Sequence, residues 1–341
     1  MAITNFTNGA SSFGIPLYGS GYKPQTGNLY WVKSTADADW TRFYDDRYAE
    51  YSDGTVSIYN TIQAAVDASA SGRGDIIIVC AGKWVEDVVV YAKTGLRIFG
   101  QQYSAAGGTE PGMTRMRAND ATVKYPFTSK IGTASNGAQF HILSRGVEIA
   151  NFYFDGGGGC SGIYAGGGLN GGITAYTTEN ASGLWVHDNF FRGGSEGQIG
   201  LYLNGVRFGA LIENNTFERW TAAGIQMDAG NASNEVPIIR NNHFIAYDAS
   251  YGIDIYGEGN SALGGQITGN VFGDRVSHAF TMAINNRAGS TGVLSVANNA
   301  FPCANHMVLT TADWTSGNFK HTAGSGTTGS NYFIQETANG A

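Results

Sequence analysis

Two acids and one mixed column of charges are the residues of this chain best placed to do chemistry. Asp228 ends the segment Gly224-Ile-Gln-Met-Asp, and Asp254 stands third in Gly252-Ile-Asp-Ile-Tyr. If these segments are strands of a repeating coil, the first and third residues after each Gly point inward. The alternates, both acids among them, then point outward. They would lie on neighbouring coils two positions out of register, about 7 to 8 Å apart. That separation suits two carboxylates that invert a glycosidic bond, one as general acid and one as general base, with room for a water between. Tyr202, Gln226 and Tyr256 flank the pair with aromatic and amide groups on which a sugar could stack and hydrogen-bond. A catalytic carboxylate also needs burial and a raised pKa. An open outward face supplies neither, so a solvated polar surface is the plainer expectation.

The second group is His187, Glu213 and Arg240, which fall in one outward column two residues before an aligned Asn. Glu213 and Arg240 would sit one coil apart, which predicts a cross-strand ion pair. If exposed it contributes at most about 1 kcal/mol. His141, His243, His278, His306 and His321 show no metal-ligand spacing, and Cys80, Cys160 and Cys303 are isolated from one another. An odd number of scattered Cys argues against a disulfide framework or a zinc site, and no cofactor is implied.

The elements that must hold these residues announce themselves as a repeat. HDNFF (187 to 191), ENNTF (213 to 217), RNNHF (240 to 244), TGNVF (268 to 272) and ANNAF (297 to 301) recur along the second half. Aligned on Asn189, Asn215, Asn242, Asn270 and Asn299, successive spacings are 26, 27, 28 and 29. Asn151-Phe152-Tyr153-Phe154 is an earlier relative. Short strands at a near-fixed period signify a solenoid. Three residues before the Asn stand Val186, Ile212, Ile239, Ile267 and Val296, and two after it stand Phe191, Phe217, Phe244, Phe272 and Phe301. Both columns should face inward, and the Asn column should form an amide ladder at a corner. Four residues before the Asn stand Trp185, Leu211 and Ile238, an apolar column on an outer face. Such a column calls for a cover, either a loop or another subunit.

Composition agrees. Charged residues make up 14% of the 341, Gly is the commonest at 50 and aromatics reach 12%, as expected of an all-β chain with many tight corners. With a net charge of −7 and scattered Lys and Arg, there is no basic footprint for nucleic acid or membrane. The N-terminus MAITNFTNGASSFG lacks the basic and apolar regions of a secretory signal. No apolar run reaches the roughly 20 residues of a membrane-spanning helix.

A helix is predicted after Asn60 or Thr61, with Ile58, Ile62, Ala65 and Val66 on one stripe and Gly72 at its end. Three apolar runs follow, Ile76 to Cys80, Val85 to Tyr91 and Leu96 to Phe99, read as the three strands of one triangular coil. The organisation is then an irregular arm over 1–55, a parallel β-helix with its capping helix over 56–310, and a tail or cap over 311–341.

The coil grammar resembles the pectate-lyase-like parallel β-helix superfamily. The residues that carry this are the coils above, the run Tyr59-Asn60-Thr61-Ile62-Gln63-Ala64-Ala65-Val66, then Gly74-Asp75-Ile76-Ile77-Ile78-Val79 and Gly82-Lys83-Trp84-Val85. The resemblance implies an all-β fold, a right-handed single-stranded solenoid with an N-terminal capping helix. It implies no single activity, because the fold hosts lyases, hydrolases, esterases, tailspikes and structural proteins. The lyase and polygalacturonase signatures are missing: Trp185-Val186-His187-Asp188 has the wrong order, and Asp45-Asp46 lies in the arm. The front of the chain, Met1 to Leu17 followed by Gly27-Asn-Leu-Tyr-Trp-Val, resembles a group of bacteriophage head-associated virion proteins with a short arm and a β-helix.

That second resemblance implies a virion structural protein, a capsid decoration or head-associated protein assembled in the host cytoplasm. Its expected partners are the major capsid protein or other virion proteins. Phe6, Phe13, Ile15, Leu17, Tyr18 and Tyr22 would make the arm's contacts. Trimeric β-helices bury an outer face about the three-fold axis, so Trp185, Leu211 and Ile238 are the expected homotrimer interface. The alternatives are a tailspike-like depolymerase acting on bacterial surface polysaccharide, with Asp228 and Asp254 as its acids, or a non-catalytic adhesin that binds a surface glycan.

Overall fold

The computed structural model describes residues 27–34, 57–80, 82–100, 114–117, 138–156, 161–166, 181–193, 198–204, 206, 209–228, 236–246, 250–256, 264–275, 278–286, 294–305, 307–308, 314–316, 318–323 and 331–336, with two short strands at 11–12 and 15–16. These residues form a right-handed parallel β-helix. A first sheet of eleven strands runs from Ser57–Tyr59 to Trp314–Ser316, a second of ten begins at Gly82–Val85, and a third of eight runs from Val88–Tyr91 to Met307–Val308. Every pairing between successive coils is parallel, for example Ile212 with Ile239, Phe217 with Phe244 and Ile225 with Ile253. The rod ends in an antiparallel hairpin, Asn318–Ala323 with Asn331–Glu336.

Like residues stack on like because each coil repeats the one below at the inter-strand spacing. The inward column Val186, Ile212, Ile239, Ile267 and Val296 is wholly buried. It extends down through Ile149, Ile98 and Ile77. The phenylalanine column starts a coil earlier than the five aligned repeats, at Phe154, and its rings lie nearly parallel at centroid spacings of 4.5, 4.7, 5.0, 4.7 and 5.1 Å. It requires glycine beside it. A Cβ on Gly162, Gly200, Gly224 or Gly252 would lie 2.7 to 2.9 Å from the Cδ1 of Phe191, Phe217, Phe244 or Phe272. This is why four third-sheet strands carry Gly as their second residue, before Leu or Ile; Gln139 and Ala283 stand at the equivalent positions of two others.

The corner between the first and second sheets turns on a left-handed residue. Asn151, Asp188, Asn214, Asn241 and Asn298 have φ of 54 to 66° and Gly269 has 67°, a region that Asn, Asp and Gly enter most readily. The next residue is the ladder Asn. Asn242 Oδ1 accepts from the Asn215 backbone N–H at 2.9 Å and from its Nδ2 at 3.0 Å, and Asn270 Oδ1 does the same for Asn242. The Asn151 segment, the earlier relative of the five repeats, lacks the ladder Asn. Asn151 is the left-handed residue, and Phe152 occupies the ladder position, its N–H donating to Asn189 Oδ1 at 3.0 Å.

The N-terminal end is closed by the helix Ile62–Ala68. Thr61 caps it, and Glu86 accepts from the Ile62 and Gln63 N–H groups at 3.0 and 3.2 Å. Gln63 stands in for a missing strand at the end of the third sheet, accepting from Val89 N–H at 2.7 Å and donating to its carbonyl at 3.2 Å. The helix stops at Ala68, before Gly72. The run Val85 to Tyr91 is two strands, Gly82–Val85 and Val88–Tyr91, in different sheets. The chain turns at Glu86 and Asp87, so the coil closes sooner than its apolar runs suggest. Leu29–Val32 lies between Ile76–Val79 and Ser57–Tyr59 in the first sheet. Buried Asp75 ties this entry to the helix end, accepting from Asn28 N–H at 2.8 Å, Ala70 N–H at 2.7 Å and Arg73 at 2.6 Å.

Candidate functional site

Strand alternation delivers side chains to two outer faces. On the third sheet, His141, Tyr164, Tyr202, Gln226, Asp254 and Asn285 share one register column. Asn204, Asp228 and Tyr256 share the column two residues on. Asp228 and Asp254 therefore occupy adjacent strands two positions out of register. Tyr256 is placed by its backbone alone.

The face is not open at the acid pair. Asp254 is 2% exposed and Tyr202 6%, while Gln226 and Asp228 are half-buried. The acids are engaged by neighbours. Tyr202 Oη donates to Asp228 Oδ2 at 2.8 Å, and Asn285 Nδ2 donates to Asp254 Oδ1 at 2.9 Å. Tyr164 stacks on Tyr202 with centroids 5.2 Å apart, and Asn204 Nδ2 donates to the Tyr164 hydroxyl at 2.7 Å. Burial pushes the Tyr164 hydroxyl well above its ordinary range; the Asn204 bond opposes this and the Asp228 charge adds to it. Burial also pushes His141 down to about 4, so its imidazole is neutral at neutral pH. Its Nε2 accepts from Ala138 N–H at 3.1 Å, which places the proton on Nδ1. The face is thus a row of tyrosine, amide and carboxylate groups holding one another in place.

The outer face of the first sheet carries the other group. Arg97, Glu148, Trp185, Leu211, Ile238 and Gln266 form one register column, and His187, Glu213, Arg240 and Thr268 the next. Glu213 and Arg240 make the expected ion pair, at 2.7 Å. Glu213 also accepts from Trp185 Nε1 at 3.0 Å. His187 turns the other way: its Nε2 is 3.1 Å from Glu148 and its Nδ1 is 2.7 Å from Asp188. Glu148 in turn takes Arg97 Nε at 2.5 Å. Arg97 and Glu148 escaped the sequence reading because 51 residues separate them, so no fixed period links their coils. Trp185, Leu211 and Ile238 are half-buried, and Val236 nearby is 48% exposed.

Among the described residues, no three His, Cys, Asp or Glu side chains gather as metal ligands. A small pocket is lined by Phe217, Trp220, Phe244, Tyr251 and Phe280 and contains neither acid. Cys80 and Cys303 are buried thiols in no disulfide, and burial with nearby Asp274 pushes Cys303 up to about 12. Of the expected arm contacts, Phe6, Phe13, Leu17, Tyr18 and Tyr22 lie outside the described residues. Ile15 is described only as backbone, in a two-residue strand, Ile15–Pro16, paired with Ser11–Ser12.

No protein-family model and no curated protein matches the chain. Solved structures do. A DFA-IIIase from Arthrobacter chlorophenolicus without its lid is similar at 16% identity over 85% of this chain and 71% of that one, with a TM-score of 0.45. A pectin methylesterase mutant in complex with a hexasaccharide is similar at 14% identity over 90% and 85%, with a TM-score of 0.38. PfbA, a surface adhesin of Streptococcus pneumoniae, is similar at 11% identity over 91% and 100%, with a TM-score of 0.29. At this distance the likeness concerns the fold and carries no function across.

Proposed function

We propose that the chain is a structural protein of a bacteriophage particle, a capsid decoration or head-associated protein that acts through its arm and the faces of its β-helix. One observation carries the reading. Leu29–Val32 is stitched between two strands of the first sheet, and Asp75 locks its entry, so whatever the arm grips is coupled directly to a stacked rod. The front of the sequence, which resembles head-associated virion proteins, adds to this. So does the engagement of Asp228 and Asp254 by neighbouring side chains. Immunogold electron microscopy of purified particles, with antibody raised against the recombinant chain, tests it. Label on the heads is the expected result. Particles that carry no label anywhere refute the reading.

A second reading, a glycan-binding adhesin or a depolymerase, is favoured by the third-sheet face. Its described outward columns, from His141 and Asn204 upward, offer Tyr, Asn, Gln and Asp without a Lys or Arg. Hydroxyl-rich ligands are recognised by such neutral donors and acceptors beside aromatic rings. Incubation with capsule or lipopolysaccharide distinguishes the two. The leading reading expects no oligosaccharide release. Release that disappears in Asp228→Asn or Asp254→Asn would establish the depolymerase instead.

A further inference from the structure

His187 sits where a neutral imidazole cannot satisfy its surroundings. Both of its ring nitrogens face carboxylate oxygens, Glu148 Oε1 at 3.1 Å and Asp188 Oδ2 at 2.7 Å. An ionised carboxylate only accepts, so both nitrogens must carry protons for both bonds to exist. The indole of Trp185 lies against the ring with centroids 4.2 Å apart, a favourable position for a cation.

We infer that His187 is an imidazolium that clasps the coils of Glu148 and Trp185 together, and that losing its proton opens the outer face of the first sheet.

The surrounding charges agree. Arg97 reaches in from the coil below and Glu148 from the adjoining strand. Asp188 stands in the corner, and Glu213 and Arg240 come from the coils above. With His187 protonated these six groups balance, three positive and three negative; with His187 neutral they carry a net negative charge. Burial pulls the His187 pKa down, but the bonds and charges of Glu148 and Asp188 outweigh it and leave it raised above 6.5. Glu148 is likewise disfavoured as a charge by burial, and its bonds to His187 and Arg97 hold it below 4.5. The signs follow from linkage. The stability from His187 is fully present below about 6.5 and is lost as pH rises through its raised folded value. The stability from Glu148 is present above about 4.5 and is lost as pH falls through its lowered one. The clasp is therefore fully formed between about pH 4.5 and 6.5 and is released as pH rises through the raised His187 value. On release, one ring nitrogen presents a lone pair to a carboxylate. The imidazole must then swing away, and the indole of Trp185, the lowest member of the apolar stripe, loses its ring contact and keeps only its hydrogen bond to Glu213.

Selective ¹⁵N labelling of histidine in the full chain tests this. Both ring nitrogens of His187 should be protonated at pH 6, with a titration midpoint above that of histidine in an unfolded peptide. Glu148→Gln should lower that midpoint. Trp185 fluorescence should change with the same midpoint in the wild type and not in a folded His187→Gln variant. A single protonated nitrogen at pH 6, or a midpoint at or below the peptide value, would overturn the clasp. If His187→Gln misfolds, the labelled wild type and Glu148→Gln still decide the matter.

Discussion

At the residue scale, the clearest anomaly is a valine in a column of glycines. The corner leading into the first sheet is built from Gly95, Gly146, Gly183, Gly209, Val236 and Gly264, all with positive φ. At Val236, φ is 51° and the side chain is 48% exposed. A left-handed L-residue costs about 1 to 2 kcal/mol, and a β-branched one is a true outlier. Val236→Asn should therefore stabilise the fold by about 1 kcal/mol, because Asn tolerates that region without the extra unfolded freedom of Gly. The urea midpoint should rise. An unchanged or lower midpoint would mean that the valine side chain contributes contacts that outweigh the strain. In contrast, Phe217 is embedded between Phe191 and Phe244. Phe217→Ala should cost about 3 to 5 kcal/mol through lost burial and a cavity; a change near zero would remove the stack as a source of stability.

At the element scale, the coil depends on surfaces that leave no room for change. A Cβ on Gly224 would lie 2.9 Å from both the Gly252 carbonyl oxygen and the Phe244 ring. Gly224→Ala should destabilise by about 1 to 3 kcal/mol through overpacking, although alanine is conventionally the milder residue in a strand. The capping element carries a pH dependence. Burial raises the cost of the Asp75 charge, but Arg73 and the Ala70 and Asn28 N–H groups hold its pKa below 3.8. Its contribution is present above that value and disappears as pH falls through the lowered one. Acid unfolding followed by circular dichroism should show Asp75→Asn losing less stability than wild type below pH 3.8. Parallel acid limbs would clear Asp75 of that role. These two elements differ in how far the sequence announces them. The Asn, Phe and Gly columns recur at nearly fixed spacing, so their inward direction, ladder and stack could be read directly. Glu86, Gln63 and the Arg97–Glu148 pair act across coils whose lengths differ, and no period points from one partner to the other. The Asn151 segment could be read only as a relative of the repeat, because the corner uses Asn twice, once for its backbone and once for its amide, and this coil keeps only the first. The acid pair was legible in register but not in burial, since burial depends on what folds over the face rather than on alternation.

At the scale of the whole molecule, the question is whether the outer faces suffice to hold the rod to another. Trp185, Leu211 and Ile238 form one register column and are already partly buried in the single chain. Fully burying three such side chains from water would contribute about 4 to 8 kcal/mol. With about two thirds or more of that area already covered, assembly gains at most about 1 to 3 kcal/mol per subunit. Association costs about 4 to 15 kcal/mol in lost translation and rotation. The stripe alone therefore cannot hold the homotrimer expected from the sequence, and we propose that the part of the 1–55 arm before Leu29 supplies the rest. Its Phe6, Phe13, Ile15, Leu17, Tyr18 and Tyr22 lie among many Gly and Ser. Such a segment gains order by laying aromatic side chains on a partner surface. Two variants separate the contributions. Leu211→Arg should leave the circular dichroism spectrum unchanged but weaken assembly in sedimentation. Deleting residues 2 to 25, which spares Leu29–Val32 and its pairing, should leave the β-helix folded, reduce the trimer to monomer and abolish incorporation into particles. A truncated chain that still sediments as a trimer would show that the faces bind without the arm. One that still decorates particles at full occupancy would show that the arm is not the grip.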